Sequence, residues 1–450
     1  MKISVKNFGP IHEANIRLAP LTLFVGPSNT GKSYLAKAIS AAIESVAGAP
    51  KSGATGEFSD FVFITSRNRP EAKKHLEMER HFSKWAKDTR RAWKKCFGDF
   101  FGEQGENIAK DMNMSVRISS NDGRTFVDLN KLKSEKSEKI EKQKLPDLVE
   151  TAELILNSTD FQAEDQDTQI STRNKIYKGF ASSLCGNISL NIYYLPASRG
   201  GVMQSYRVIA DKSVRRMCVL RDKNDFWRIS GMLGGFARQL AKIEVKKNGD
   251  GEVNVINKNL ERKILGGRIN IKFSMGSLYF RYVMDGKKDD MAMNDVSAAI
   301  AELAPLSVFM SHYLQPKDVL IFEEPETGLH PQAQRDIADI MVRLVNEGVF
   351  VLATTHSDTV LEQIGNAIRA SQFNNVAKGE KLLGKNRQPL ALENAAVYDF
   401  GKQSKHGGTV VKEVPFKSIT GVLTKDHIKV AHELYDQTVD LVNSRNDELA

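Results

Sequence analysis

The residues best placed to do chemistry are Gly26-Pro27-Ser28-Asn29-Thr30-Gly31-Lys32-Ser33, which read G-x-x-x-x-G-K-S. This is the phosphate-cradling P-loop spacing. Its glycines let backbone N–H groups close on phosphate oxygens, and a helix N-terminus adds its positive end. Lys32 is placed to reach β- and γ-phosphates, and the Ser33 hydroxyl to meet Mg²⁺. A second constellation is Asp318-Val319-Leu320-Ile321-Phe322-Glu323-Glu324-Pro325-Glu326, an apolar run that ends in acids. It has the form of a Walker B strand, because a buried parallel strand delivers carboxylates to a metal–phosphate centre at its C-terminal end. Successive strand residues point to opposite sides, so Glu323 and Glu324 cannot share one task. Glu323 is assigned to the metal through a water, and Glu324 to orienting and deprotonating the attacking water. Thr354-Thr355-His356-Ser357 closes a further apolar run, residues 349–353. A histidine at such a strand end can be purely structural; its place after the acidic strand and a helix points to γ-phosphate contact.

Elements of matching type surround these residues. Leu21–Val25 is a short apolar strand, and Leu35, Ala38, Ile39, Ala42, Ile43 and Val46 recur at helical spacing until Gly48 and Pro50. Residues 2–7 and 12–18 form a hairpin around Gly9-Pro10. Ile188–Leu195 reads as a strand ending in Pro196-Ala197-Ser198-Arg199-Gly200-Gly201. Short helices are expected over 211–243, and then a β-rich section with turns at Asn248-Gly249-Asp250-Gly251 and Asp285-Gly286. A helix runs from about Ser297 to Tyr313, and another follows Pro331, with Ile337, Ile340, Met341, Leu344 and Val345 on one face. Residues 67–187 differ in character, with long, highly charged helical stretches. Phe82, Ala86, Thr89, Trp93, Phe97 and Phe100 make one apolar stripe there, so Trp85 and Trp93 read as core rather than as base-stacking platforms. Lys131 to Lys144 alternates Lys with Glu, as a solvated helix face or linker does. The organisation expected is therefore an N-terminal part over 1–66 with the P-loop, a helical charged insertion over 67–187 and a C-terminal part over 188–450.

With 450 residues, 41% hydrophobic and 26% charged, the chain has the composition of a soluble globular protein. No run of about 18 apolar residues exists, and the N-terminus enters strand-like alternation without a signal-peptide core. Cys96, Cys185 and Cys218 are odd in number and lack C-x-x-C spacing. A reduced, cytoplasmic setting without a zinc site or membrane anchor is expected. The net charge of +9 is compatible with a polyanionic partner, DNA or RNA, and equally with a solvated basic face. Between Arg67 and Lys95 eleven Lys or Arg stand against four acids, leaving +7 in one segment.

In combination, the P-loop, the E-E-P-E-x-x-L-H-P run from Glu323 to Pro331 and the T-T-H-S of Thr354–Ser357 resemble ABC-type ATPase heads. Within these the chain resembles the bacterial and archaeal group that includes the overcoming-lysogenisation-defect (OLD) proteins and the ATPase subunit of Septu defence systems. SMC and double-strand-break-repair ATPases are more distant relatives. Met293 to Leu306 stands where that group has its signature segment and helix. Tyr194-Leu195-Pro196-Ala197-Ser198-Arg199 and Ala396-Val397-Tyr398-Asp399-Phe400, followed by Gly408-Thr409-Val410-Val411, also look like family segments. The likeness spans 1–65 and 190–440, with the insertion in the place of a coiled-coil or helical arm.

The resemblance implies an α/β fold: an ABC-type P-loop head with a mixed, largely parallel sheet, an antiparallel β subdomain and a helical insertion. It implies ATP and Mg²⁺, nucleotide contacts from Gly26 through Tyr34, metal contacts from Ser33 and Glu323, and catalysis by Glu324, His356 and Lys32. It further implies a head-to-head dimer or higher homo-oligomer in which Ser297 of one copy meets the nucleotide of the other. The implied role is a sensor or regulatory ATPase in antiphage defence, acting with a separate nuclease or toxin effector. A DNA-repair or DNA-organising ATPase and a slow nucleotide-dependent scaffold stand as alternatives. The chain departs from the family in three places. Glu323 replaces the usual aspartate and is one methylene longer, which alters the geometry offered to Mg²⁺. Ser297 is followed by Ala298 rather than by a glycine pair. The roughly 90 residues after His356 hold no Asp-x-Asp of a TOPRIM nuclease, so the effector is expected on another chain.

Overall fold

A computed structural model describes residues 1–48, 84–93, 115–119, 126–129, 185–206, 231–243, 251–416 and 433–439, apart from single positions and pairs inside those ranges. In the first segment, β1 (Lys2–Phe8) buries Ile3, Val5 and Phe8, and β2 (Ile11–Arg17) buries Ile11, Ala14 and Ile16. Phe8 pairs with Ile11, so Gly9 and Pro10 alone turn the chain, and Gly9 takes the φ of +53° that the tight reversal needs. β3 (Leu21–Val25) is buried throughout and leads through the P-loop into α1 (Lys32–Gly48).

α1 is buried on nearly every side, from Leu35, Ala36, Ala38 and Ile39 to Ala41, Ala42, Ile43 and Val46. Its core joins residues of β1 and β2 to Ile321, Leu352 and Tyr398 of the sheet that carries β3. A helix held between two sheets must be apolar all round, and its many alanines keep it slim enough to fit.

β4 (Ser115–Ser119) pairs antiparallel with β1, and β5 (Phe126–Asp128) with β4. Both fall inside the segment expected to be helical, so at these residues the expectation is corrected. Val116 and Ile118 are two apart and buried, with Val127 across from Ile118. Strands this short leave a weak period-two signal amid so much charge. Trp85 and Trp93, in the helical stretch 84–93, are buried in the same core as α1, which agrees with the core reading. Lys131–Lys144 and most of Arg67–Lys95 lie outside the described residues.

β6 (Ile192–Leu195) is shorter than expected, and α2 (Gly231–Ala241) follows. The section after Asn248 then departs from the expected strands. It opens with α3 (Glu252–Leu260) and a π-helical turn, Glu261–Leu265, which Gly266 ends at a φ of +60°. Val253, Ile256, Asn257 and Leu260 are buried at spacings of three and four, and that periodicity overrides the Asn-Gly-Asp-Gly turn signal. β7 (Gly267–Ser274), β8 (Ser277–Met284) and β9 (Asp290–Ala292) form an antiparallel sheet.

The remaining elements are α4 (Ala298–His312), β10 (Val319–Glu323), α5 (Pro331–Asn346), β11 (Phe350–Thr355), α6 (Asp358–Ser371), α7 (Val376–Leu383), β12 (Ala395–Asp399), β13 (Thr409–Val410) and β14 (Lys412–Val414). The main sheet has the order β14-β12-β3-β11-β10-β6, with β14 antiparallel and the other five mutually parallel. The second sheet has the order β13-β2-β1-β4-β5. The fold is thus mixed α/β with parallel and antiparallel sheets. Its second core packs α4, α5 and α6 on the main sheet face opposite α1, through Leu303, Leu306, Ile337, Met341, Leu361 and Ile364. Among the described residues no helix is long and apolar enough to cross a membrane.

Candidate functional site

Parallel strands end together. Thr355 pairs with Val25, Asp399 with Val25, Glu323 with Thr354 and Leu195 with Phe322, so the residues that follow share one edge of the sheet. This C-terminal edge is where open α/β sheets bind ligands. β11 lies between β3 and β10, which puts Thr354, Thr355 and His356 between the P-loop and the acids.

The P-loop's shape is set closely by its neighbours. Gly26 and Gly31 adopt φ of +128° and +100°, and Asn29 +61°. A Cβ on Gly31 would stand 2.9 Å from Pro10 and Ile11 of the hairpin turn, and one on Gly26 would stand 3.2 Å from Phe400 and Gly401 beyond β12. Thr30 Oγ1 donates to the Pro27 carbonyl at 2.8 Å. Lys32 Nζ donates to the carbonyls of Gly26 at 2.8 Å and Pro27 at 2.6 Å, closing the loop on itself. Burial brings the Lys32 ammonium down to about 8, against the opposing pull of Glu324 and Glu326. That pull places both carboxylates in the field of the P-loop lysine. Pro27, Ser28 and Asn29 are exposed, and Ser33 is partly so. Tyr34, expected among the nucleotide contacts, lies edge-on to Phe8 at 6.2 Å between centroids and closes on Gly9.

The acids divide as strand alternation requires. Glu323 is 4% exposed; its Oε1 accepts from the Tyr194 hydroxyl at 2.8 Å and its Oε2 from the Ala197 N–H at 3.1 Å. Glu324 is half-buried and sits at φ +44°, uncommon for a residue with a side chain. Its N–H donates to the Thr354 carbonyl at 2.9 Å, and its Oε2 accepts from Thr327 Oγ1 at 3.3 Å. Glu326 Oε1 accepts from the His356 N–H at 2.7 Å, while Oε2 is buried without a hydrogen bond. Burial pushes the Glu326 carboxyl up, and Glu324 adds to the push. His356 itself is exposed, and Ser357 beside it caps α6 by accepting from the Val360 N–H at 3.1 Å.

The structure thus brings Lys32, Glu324, Glu326 and the His356 backbone to one place. Ser297 stands elsewhere on the head, exposed at the N-cap of α4 and accepting from the Ile300 N–H at 3.4 Å. Beside it, Ala298 meets the turn at Gly328, 3.7 Å from where a Cβ there would be.

Arg199, Tyr194, Thr354 and Glu326 gain functional neighbours that residue type alone did not assign to them. Arg199 is fully buried. Nη1 donates to the carbonyls of Glu323 at 2.7 Å and Pro196 at 3.1 Å, Nη2 to that of Glu324 at 3.1 Å, and Nε to that of Glu302 at 2.8 Å. Its guanidinium lies 4.7 Å from the Phe322 ring centroid. Burial lowers its ionisation to about 10, with Glu302 as the largest opposing influence, so it stays charged at neutral pH. The available sequence signal was its place in the Pro196–Gly201 run that closes the Ile188–Leu195 strand.

A family model described as an AAA ATPase domain matches residues 1–361. Among curated proteins, the energy-coupling factor transporter ATP-binding protein EcfA of Carboxydothermus hydrogenoformans is 36% identical over 74 residues, 16% of this chain. The chain spans only 27% of that relative's length. Similar solved structures include an SMC head bound to the C-winged helix domain of ScpA (TM-score 0.38, 14% identity, 93% of this chain and 98% of that one). The SMC head domain from Thermotoga maritima is another (TM-score 0.33, 13% identity, 92% and 98%). Because the family model takes in the P-loop, the acidic strand and the Thr354–Ser357 edge in a single match over most of the chain, the chain belongs to the AAA ATPase domain family.

Proposed function

We propose that this chain binds ATP with Mg²⁺ and hydrolyses it at the shared edge of the main sheet. The observation that carries the reading is that β11 lies between β3, which leads into the P-loop, and β10, which ends in the acids, so that all three end on one sheet edge with the His356 N–H held by Glu326. Lys32 leaves the carbonyls of Gly26 and Pro27 to meet the β- and γ-phosphates, and the N–H groups at the start of α1 take the remaining phosphate oxygens. Glu324 orients the attacking water and accepts its proton, with Thr327 steadying Oε2. His356, at the strand between the P-loop and the acids, would contact the γ-phosphate of a bound nucleotide.

The donor set suits a hard cation. Ser33 supplies a hydroxyl, phosphates and waters supply oxygens, and Glu323 keeps lone pairs for a bound water, since two of the roughly four that a carboxylate offers go to Tyr194 and Ala197. When bound, Mg²⁺ neutralises phosphate charge and orients the γ-phosphoryl group.

The exposed Ser297 suits a head-to-head dimer in which the Ser297 segment of a second copy completes the site. The motif set of the sequence supports an OLD- or Septu-like regulatory ATPase of antiphage defence with a separate effector. The basic charge supports the alternative, direct action on nucleic acid. The test is ATP turnover and light scattering on wild type, Lys32→Ala and Glu324→Gln. Lys32→Ala is expected to lose binding, and Glu324→Gln to lose about 10² or more of turnover while still assembling with ATP–Mg²⁺. Wild-type turnover in Glu324→Gln overturns the catalytic assignment. Turnover stimulated by DNA moves the reading to the nucleic-acid alternative.

A further inference from the structure

A fully buried guanidinium is costly to keep unless its N–H groups are used, and those of Arg199 are spent on backbone carbonyls at the end of β10. The carbonyls are those of Glu323 and Glu324, the two residues that strand alternation sends to different tasks. Glu324 also holds a left-handed φ of +44°, which persists only where surroundings over-determine it. Its carbonyl receives both Arg199 Nη2 and the Thr327 N–H at 3.1 Å, so one atom anchors the turn that aims the Glu324 carboxylate.

The other end of Arg199 belongs to α4. Nε donates to the Glu302 carbonyl and lies 3.4 Å from Glu302 Oε2. A Cβ on Gly200 would stand 2.4 Å from Glu302 Oε1, so a side chain there obliges the Glu302 carboxylate to move. Glu302 lies one turn and a half from Ser297, the exposed N-cap of the same helix.

We propose that Arg199 is a positioning residue which, with Glu302, ties the backbone setting of Glu324 to the seat of α4. A shift of α4 is then transmitted to the water-activating acid through one guanidinium. The functional half of this inference rests on the ATPase reading above; the structural half does not.

The test uses Glu302→Gln, which removes the ion pair but keeps the side-chain size, and Gly200→Ala, which crowds the Glu302 carboxylate without changing any charge. Arg199→Lys is the third variant, keeping the charge but losing the fork. Hydrogen exchange of the full chain, without nucleotide, is expected to rise at the Glu324, Thr327 and Leu329 amides in Glu302→Gln and Gly200→Ala, and to stay as in wild type at α1. In turnover, kcat is expected to fall about tenfold or more while KM for ATP stays within about twofold, because displacing a catalytic group costs the chemical step rather than binding. Unchanged exchange at the turn in both folded variants overturns the proposal even if Arg199→Lys fails to fold. A parallel fall in melting temperature and rise in KM, with kcat preserved, overturns it too, as that marks a merely structural role. Raised exchange at the turn in a chain whose wild type does not turn over ATP upholds the tie and refutes the ATPase reading instead.

Discussion

Lys32 makes nucleotide affinity depend on pH in a way fixed by its burial. Without nucleotide its ammonium titrates at about 8, against an ordinary value of 10.5, because burial outweighs the pull of Glu324 and Glu326. A bound triphosphate places negative charge on Nζ and returns the group towards its ordinary range. Binding above pH 8 therefore requires uptake of a proton. From pH 7 to pH 9.5 the dissociation constant should rise by about 30-fold, close to tenfold per unit past 8, since one pKa unit corresponds to about 1.4 kcal/mol. The phosphate groups add little to this slope, as their last ionisation lies near 6. Stability of the empty protein has the opposite sign. The folded pKa lies below the unfolded one, so the unfolded chain binds more protons between pH 8 and 10.5, and stability rises through that window. The cost of holding Lys32 charged, about 3 kcal/mol, is present below pH 8 and is relieved as the pH passes from 8 to 10.5. Calorimetric titration of ATP–Mg²⁺ into Glu324→Gln, where turnover does not interfere, measures the slope in buffers of different ionisation enthalpy; removing the Glu324 charge lowers the Lys32 ammonium further, so the rise there should be at least as large. Lys32→Arg serves as the control, because its guanidinium keeps its charge and the slope should vanish whatever affinity remains. A dissociation constant that stays flat from pH 7 to 9.5 in Glu324→Gln would refute both the burial argument and the placing of Lys32 on the phosphates.

Other outcomes follow from single contacts. Gly31→Ala combines a φ of +100° with a methyl 2.9 Å from Pro10 and Ile11, and should lower stability by about 1–3 kcal/mol, read as a lower denaturation midpoint; an unaltered midpoint would mean that the hairpin turn does not clamp the loop. Tyr194→Phe leaves one oxygen of the buried Glu323 carboxylate without its partner and should cost about 1–3 kcal/mol, whereas a neutral effect would show that water replaces the hydroxyl. Trp85→Ala should cost about 3–5 kcal/mol as a core truncation; a loss of DNA affinity at unchanged stability would restore the base-stacking role.

Most of the site was legible in order along the chain. G-x-x-x-x-G-K-S after an apolar strand predicts its own strand–loop–helix context, and an apolar run ending in acids predicts a buried strand, because both are local patterns set by backbone geometry and hydrophobic period. Alternation alone separated Glu323 from Glu324, and the structure sends them to different neighbours, one to Tyr194 and Ala197, the other to Thr327. The period also placed Trp85 and Trp93 in the core. It failed where strands were too short to show alternation, at β4 and β5, and where a turn signal preceded a buried helical face, at α3.

What only the tertiary structure decided were contacts between residues far apart in sequence. No local pattern tells that Pro10 and Ile11 forbid a side chain on Gly31, that a carboxylate at 326 holds the amide of His356, or that the guanidinium of Arg199 gathers carbonyls from β10 and α4. Hydrogen bonds of that kind depend on which strands are neighbours, and strand order is set by how α1 and α4 pack on opposite faces of the sheet, a global property of the packed chain.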